Sequence, residues 1–278
     1  MDVKAYAKIN LTLDITGNRE DGYHNLDTIM QQISLCDNIS IGFNESGKIK
    51  LSTNTTYIPV NRKNTVYKAV QLFYECTGIR DGIDIYIEKL IPSRAGLGGG
   101  SADAAAVLKA LNSHYGAFVS EKKLISIAVQ VGADVPFCIK GGTCRCRGIG
   151  ELVTPVSPMP DCFLVICKPP MGMRTPDAYK RVDSHEPPVK MFTEAMISAL
   201  ESGSIQNTAK SLNNRFDDVL NLGQVKQIKR TMLKYGALGA LMSGSGTAVY
   251  GIFTDIVAAE IAMEMLKDYG KVFPARPI

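Results

Sequence analysis

The sequence predicts an α+β protein, and three observations carry that reading. Residues 3–15, VKAYAKINLTLDI, alternate polar and apolar side chains with a period of two, as half-buried strands do. Strand-like and helix-like segments then follow one another without the strict alternation of a parallel sheet, which points to two α+β layers. TPVSPMPDC, 154–162, carries three prolines in nine residues and is the best candidate boundary. Two domains are therefore expected, 1–157 and 158–278.

Taken in order, residues 3–15 read as a strand pair, interrupted by the turn residues of NREDGYHN, 18–25. LDTIMQQISL and DNISIGF read as two further strands. NTVYKAVQLFYECTG, 64–78, predicts an amphipathic helix: Asn64 caps it, Gly78 ends it, and apolar residues fall at 66, 69, 70 and 73. GIDIYIEKLIP is again a strand. SEKKLISIAVQVG is a helix with Ser120 as its cap. After GADVPFCIKGGTCRCRG the pattern returns to short strands. CFLVICKPP is a buried strand, and TPDAYKRVD begins a helix. EAMISALESG and VKQIKRTMLKYG are helices, GALMSGSGTAVYGIF is a strand–turn–strand unit, and IVAAEIAMEMLKDYG is a last helix.

Composition narrows the function classes. The 278 residues are 45% hydrophobic and 21% charged, enough for a sizeable core and too apolar for wholesale disorder. A net charge of +4 weakly favours an anionic ligand and argues against nucleic acid, since no basic stripe accompanies it. No stretch approaches the ~20 apolar residues of a membrane span, and the N-terminus lacks a signal pattern, so a cytoplasmic protein is expected. Seven cysteines without a regular framework fit that compartment. Cys144 and Cys146 form a C-x-C pair with no second ligand pair nearby, so they read as buried or edge-strand thiols, and no metal site is assigned.

PSRAGLGGGSADAAAVLKALN, 92–112, is the densest signal. Ala104, Val107, Leu108 and Leu111 fall at helical spacing, and Ser101 is a natural cap, so the helix is expected to start at about 102. A helix N-terminus exposes unpaired N–H groups and the positive end of the dipole; glycines let an anion approach them closely. The segment lacks the Lys-Ser/Thr ending of a P-loop, is a weak dinucleotide fingerprint, and does not sit in a hairpin as a protein-kinase glycine loop does. A phosphate cradle and a tight strand-to-helix turn both remain open on residues alone.

Other candidates are individually modest. Lys8 lies on the first strand with the parity of Lys4, Tyr6 and Asn10, where a solvated edge is the plainer reading. Asp134, in VGADVPF, fits a turn or cap. A buried Asp beside a Lys, however, could take a substrate hydroxyl's proton while the ammonium steadies the oxyanion. Tyr23 and His24 share one loop, and MSGSGTAV offers a second glycine turn.

The order of these motifs resembles that of the galactokinase, homoserine kinase, mevalonate kinase and phosphomevalonate kinase superfamily: AKIN near the N-terminus, IPSRAGLGGGSADAA in the middle, LMSGSGTAVYG near the C-terminus. AKINLTLDITGNREDGYHNLDT and GADVPFC further resemble its diphosphocytidyl-methylerythritol kinase branch. The resemblance implies a two-domain fold, with a first half similar to ribosomal protein S5 domain 2 and a C-terminal α+β sandwich. It also implies phosphoryl transfer from ATP, accompanied by Mg²⁺, to a diphosphocytidyl methylerythritol alcohol.

By resemblance, Gly96, Leu97, Gly98, Gly99, Gly100, Ser101 and Ala102 match the triphosphate loop and Asn64 an adenine-side contact. Asp134 matches the catalytic base and Lys8 the lysine beside the accepting hydroxyl. Asn10 matches a contact to the methylerythritol portion. Tyr23 and His24 match the cytosine pocket, with Tyr179 a second aromatic and Thr175 one turn earlier. Thr247 stands where the family often carries proline, which implies a less rigid turn, and Arg94 stands in a variable approach to the loop. Other members of the superfamily have no use for the Tyr23–His24–Tyr179 group, and a non-catalytic nucleotide sensor has none for Lys8 with Asp134. A monomer or weak homodimer is expected.

Overall fold

The computed structural model describes residues 1–185 and 191–278. The first half contains β1 (Asp2–Asn18), β2 (His24–Asn44), β3 (Ile49–Thr53), α1 (Thr65–Thr77), β4 (Gly82–Glu88), α2 (Gly99–His114), α3 (Glu121–Val131), α4 (Val135–Lys140), β5 (Thr143–Gly148) and β6 (Leu152–Pro155). Then follow β7 (Phe163–Lys168), α5 (Thr175–Asp183), α6 (Thr193–Glu201), α7 (Ile205–Lys210), β8 (Asn213–Asn214), α8 (Arg215–Leu220), α9 (Gly223–Lys234), β9 (Gly239–Met242), β10 (Val249–Phe253), α10 (Ile256–Leu266) and β11 (Lys271–Ala275). Contacts group these residues into two compact units. One comprises 1–7, 36–91 and 98–140; the other comprises 8–35, 92–97 and 141–278.

In the first unit, β4 pairs antiparallel with residues 38–44 of β2 and parallel with β3. Helices α1, α2, α3 and α4 pack on one another. The periodicity of α1 is realised: Val66, Ala69, Val70 and Phe73 are fully buried, and burial of each large side chain contributes about 1.5–3 kcal/mol. Asn64 Oδ1 accepts from Val66 N–H at 2.8 Å, and Gly78 closes the helix in the left-handed region. Ser120 likewise caps α3.

In the second unit, residues 26–31 of β2 pair antiparallel with β5, β5 pairs with β6, and β8 lies parallel to β1 at Thr12–Leu13. A second sheet has the antiparallel order β11-β7-β10-β9, with α9 and α10 packed on it. Their core gathers Val165, Cys167, Val225, Ile228, Met232, Val249, Phe253 and Ala262.

Several expectations need correction. The expected strand pair is one strand, β1, and the two strands expected over 26–43 are one strand, β2. Asp37, where the second of those strands was expected to start, is fully buried inside β2, where its carboxylate accepts from Leu90 N–H and Ile91 N–H. The half-buried alternation also fails: every residue from Ala7 to Ile15 is buried. Both faces can be covered because the polar set finds partners, as buried polar groups must. Thr12 meets Thr193 at 3.1 Å, and Asp14 accepts from Phe192 N–H, Thr193 N–H and the Thr193 hydroxyl. The helix expected from about 102 starts at Gly99, with Gly98 as its cap, so Ser101 lies inside the first turn. Helix α4, of six residues, was not expected; it is too short for a periodic signal and carries Pro136 in its first turn.

Candidate functional site

The glycine loop is stitched down before α2 begins. The Leu97 carbonyl accepts from Lys8 N–H at 3.0 Å, and the Ala95 carbonyl from Ala248 N–H at 3.1 Å. Between them, the Gly96 carbonyl accepts from the Ser243 hydroxyl at 2.9 Å. Three successive carbonyls are thus turned to protein partners. Gly96 has φ +76°, and a Cβ there would sit 1.9 Å from Ser243 O, so no other residue fits. Gly98 has φ +68° and caps α2, whose first residues are Gly99, Gly100, Ser101 and Ala102. This is a cradle of backbone at a helix N-terminus, of the kind that holds phosphate. In the first unit, Thr65 donates to the Gly100 carbonyl at 2.7 Å. Its neighbour Asn64 spends its amide on the α1 cap and on Pro59 O, 2.7 Å away.

β1 delivers the second part. Lys8 is 4% exposed, so the solvated-edge reading fails; its Nζ donates to Asn10 Oδ1 at 2.8 Å. Asn10 Nδ2 donates to the Thr28 hydroxyl at 2.9 Å, and the wholly buried Tyr250 hydroxyl donates to the Asn10 carbonyl at 2.9 Å. A Cβ on Gly244 would lie 3.2 Å from Gly96 Cα and 3.5 Å from Asn10 Oδ1. The structure therefore gathers Lys8, Asn10, Gly96 and the 243–247 turn. Asp134, in the first unit, is half-buried just before α4, and its carbonyl accepts from Cys138 N–H.

The aromatic group forms a third part. The ring of His24, buried at the start of β2, stacks on that of Tyr179 with centroids 4.3 Å apart and 21° between planes. That spacing is one ring's contact distance, so these two rings touch one another and leave no slot between them for a base. Tyr179 meets Phe216 edge to face at 5.0 Å. Tyr23 is 59% exposed at the tip of a turn held by Arg19 and Asp21. Thr175, at the start of α5, meets Ser245 with hydroxyls 3.0 Å apart.

Sequence reasoning missed several residues that shape this site. Asp183, at the end of α5, lies 2.6 Å from His24 Nε2 and fixes the ring's orientation. Asn214 donates to Met242 O at 2.7 Å and Gly244 O at 2.8 Å, setting the glycine turn. Lys89 forms a buried cluster with Asp37 and with Asp103, the latter at 2.6 Å. Lys89 Nζ is 3.4 Å from where a Cβ on Gly99 would lie, so the cluster sits directly against the start of α2. Burial pushes the Asp103 carboxyl up to about 7, against the pull of Lys89 and with the push of Asp37. For Lys89, burial alone lowers the pKa, but the two carboxylates outweigh it and the net direction is upward. Only one signal pointed there: an Asp among alanines on a buried helix face. Thr247, expected to loosen its turn, is instead fully buried and donates to Met171 O at 2.7 Å. Cys144 and Cys146 are buried on β5, where the Cys144 thiol donates to the Gly141 carbonyl at 3.3 Å, and among the described residues no group of three His, Cys, Asp or Glu side chains could hold a metal ion.

A loop stitched at 95–97 beside a buried Lys–Asn pair, running into a helix with a glycine start, has the makings of a phosphate-handling enzyme and lacks those of a dinucleotide or P-loop protein. The family model described as "GHMP kinases N terminal domain" matches residues 64–142, and "GHMP kinases C terminal" matches 196–272. Relatives from Clostridium kluyveri (44% identical over 281 residues) and Clostridium botulinum (45% over 282) match along 100% of both chains. Both are named 4-diphosphocytidyl-2-C-methyl-D-erythritol kinase. A crystal structure of 4-(cytidine 5'-diphospho)-2C-methyl-D-erythritol kinase is 34% identical with a TM-score of 0.83, covering 100% of this chain and 99% of that one. The mevalonate kinase of L. major, solved with R-mevalonate, shares the fold at 18% identity and TM-score 0.77, covering 100% of this chain and 95% of that one. The chain belongs to the GHMP kinases and, within them, to the 4-diphosphocytidyl-2-C-methyl-D-erythritol kinase family. No helix among the described residues is long and apolar enough to cross a membrane.

Proposed function

We propose that this chain transfers the γ-phosphate of ATP to the 2-hydroxyl of 4-diphosphocytidyl-2-C-methyl-D-erythritol, giving the 2-phosphate and ADP, in the non-mevalonate route to isoprenoid precursors. The observation that carries the reading is the stitched loop at 95–97 running into α2, beside the buried Lys8–Asn10 pair. Phosphoryl transfer needs little covalent help from the protein; alignment and charge stabilisation supply most of the effect. Residues Gly96 to Ala102 cradle the triphosphate, and Asn64 shapes the adenine side. Lys8, whose buried ammonium donates to Asn10, places positive charge beside the accepting oxygen. Asp134 takes or orients the hydroxyl proton. Asn10 contacts the methylerythritol portion.

The base is selected by Tyr23, His24, Tyr179 and Thr175. Because His24 and Tyr179 already stack on each other, the cytosine lies against that pair from outside, with Tyr23 as the ring free to cover it. Mg²⁺ arrives with the nucleotide, which suits an ion that keeps its waters and needs few protein ligands. Bound with the nucleotide, it would neutralise charge on the phosphates. The ATP-binding domain is assigned to 1–157 and the second domain to 158–278, in a cytoplasmic monomer or weak homodimer.

A coupled ADP-release assay tests the reading with four acceptors: the diphosphocytidyl alcohol, mevalonate, phosphomevalonate and homoserine. Turnover is expected with the first alone. Turnover of any of the others, with none of the first, overturns it.

A further inference from the structure

The turn at 243–247 touches more than the glycine loop. On one side, Ser243 holds the Gly96 carbonyl, and Ala248 N–H holds that of Ala95. On the other, Ser245 meets the Thr175 hydroxyl at 3.0 Å, and Thr247 donates to Met171 O at 2.7 Å. Met171 O accepts a second bond, from the buried Lys168 ammonium at 2.7 Å, which also donates to Pro169 O at 2.6 Å. The segment 169–174 is therefore tied at Pro169 and Met171, and it leads directly into α5, whose first residue Thr175 meets Ser245. That helix carries Tyr179, stacked on His24, and Asp183, bonded to His24 Nε2. A continuous set of close contacts thus runs from Gly96 through the turn to the rings of the base pocket, all within the second unit.

We propose that Thr247 and Ser245 are positioning residues that couple the phosphate loop to the base pocket, so that nucleotide and diphosphocytidyl alcohol each strengthen the other's binding. The proposal rests on the functional reading above, since it presumes that these are the two ligands. The physical basis is differential contact. A nucleotide that orders Gly96 orders the turn packed on it, because a Cβ's worth of space does not separate them. The turn then holds Met171 and Thr175 where α5 needs them. The second ligand meets a pocket whose ordering cost is already met, which is positive cooperativity. Two hydroxyl bonds suffice for this, because the Thr247 side chain is fully buried and its acceptor is fixed by a charged second donor. Neither residue touches the reacting atoms in this arrangement; both act through what they hold.

The test is equilibrium binding of the diphosphocytidyl alcohol with and without the β,γ-imido analogue of ATP, on the full chain. The wild type is expected to bind the alcohol roughly 5- to 150-fold more tightly when the analogue is present, the usual span of coupling between sites. In Thr247→Val, which keeps the shape and loses the donor, that factor is expected to fall at least several-fold toward one, while the analogue's own affinity stays close to wild type. Thr247→Ser restores the donor and is expected to restore the factor. Ser245→Ala, at a less buried position, reads the second tie and guards against a folding defect in the valine variant. An unchanged factor in both Thr247→Val and Ser245→Ala overturns the proposal, as does a wild type that binds both ligands without coupling. A wild type that does not bind the alcohol sinks the functional reading instead, and the proposal falls with it.

Discussion

At the phosphate loop, position is set by backbone: three carbonyls stitched to Lys8 N–H, the Ser243 hydroxyl and Ala248 N–H, and a glycine with no room for a methyl group. At the base pocket, position is set by side chains arriving from distant parts of the chain: His24 from the start of β2, Tyr179 and Asp183 from α5, and Tyr23 standing out in solvent. At Gly96 the backbone admits no side chain, whereas the rings of the second region are ordinary side chains. On the reading proposed above, rate belongs to the loop together with Lys8 and Asp134, and selection to the aromatic group.

The largest effect that could break this division comes from Asp134→Ala. Its turnover is expected to fall by about 10²–10⁴, the range for a positioned acid–base group, while titration with nucleotide still saturates. Near-normal turnover removes Asp134 from the chemistry. Next is Gly96→Ala, whose methyl group must displace Ser243 O from 1.9 Å and adopt a left-handed backbone. A loss of at least about 2 kcal/mol is expected, read as a fall of at least about 4 °C in Tm together with weaker nucleotide binding. An unchanged Tm would mean the stitching is dispensable.

Tyr179→Ala sharpens the other side of the comparison. Loss of one stacking surface is worth about 1–3 kcal/mol, so KM for the diphosphocytidyl alcohol is expected to rise by roughly 5- to 150-fold with KM for ATP little changed. A fall in kcat alone would place Tyr179 with the rate-setting group.

The smallest effect concerns Asp103. Its folded pKa, pushed up to about 7 by burial, exceeds the ordinary 3.8, so the folded protein holds the proton longer than the unfolded chain. That group's contribution to stability is therefore present at low pH and is lost as pH rises through about 4 to 7. Urea unfolding of wild type and Asp103→Asn is expected to show a wild-type advantage that is larger near about pH 5 than near about pH 7.5. An advantage that grows with pH refutes the assignment.

How much of this was legible in the chain differs between the two regions for a physical reason. The cradle is local: glycines at 96, 98, 99 and 100 followed by a helix-forming run announce a loop meeting a helix N-terminus. Even so, the cap was misplaced. Ser101 has the right side chain, but Gly98, in the left-handed region, starts the helix three residues earlier. Lys8 was legible only through resemblance, because a strand's alternation says which residues share a face and nothing about whether that face is covered. The continuity of β2 through Asp37 was hidden for the same cause: its carboxylate can be buried only because Leu90 and Ile91 supply donors. Asp183 carried no signal of its own, and Thr247 showed only as a missing proline, since their partners are 159 and 76 residues away in the chain.

The division of labour is tested most directly by comparing two acceptors: 4-diphosphocytidyl-2-C-methyl-D-erythritol, and the same methylerythritol phosphate without its cytidyl group. On the proposed reading both would offer the same hydroxyl to Lys8 and Asp134, and only the first would reach His24 and Tyr179. The expected result is ADP release with both, at a kcat/KM at least about 10-fold higher for the full acceptor, from base stacking alone. Equal values for the two would contradict the account.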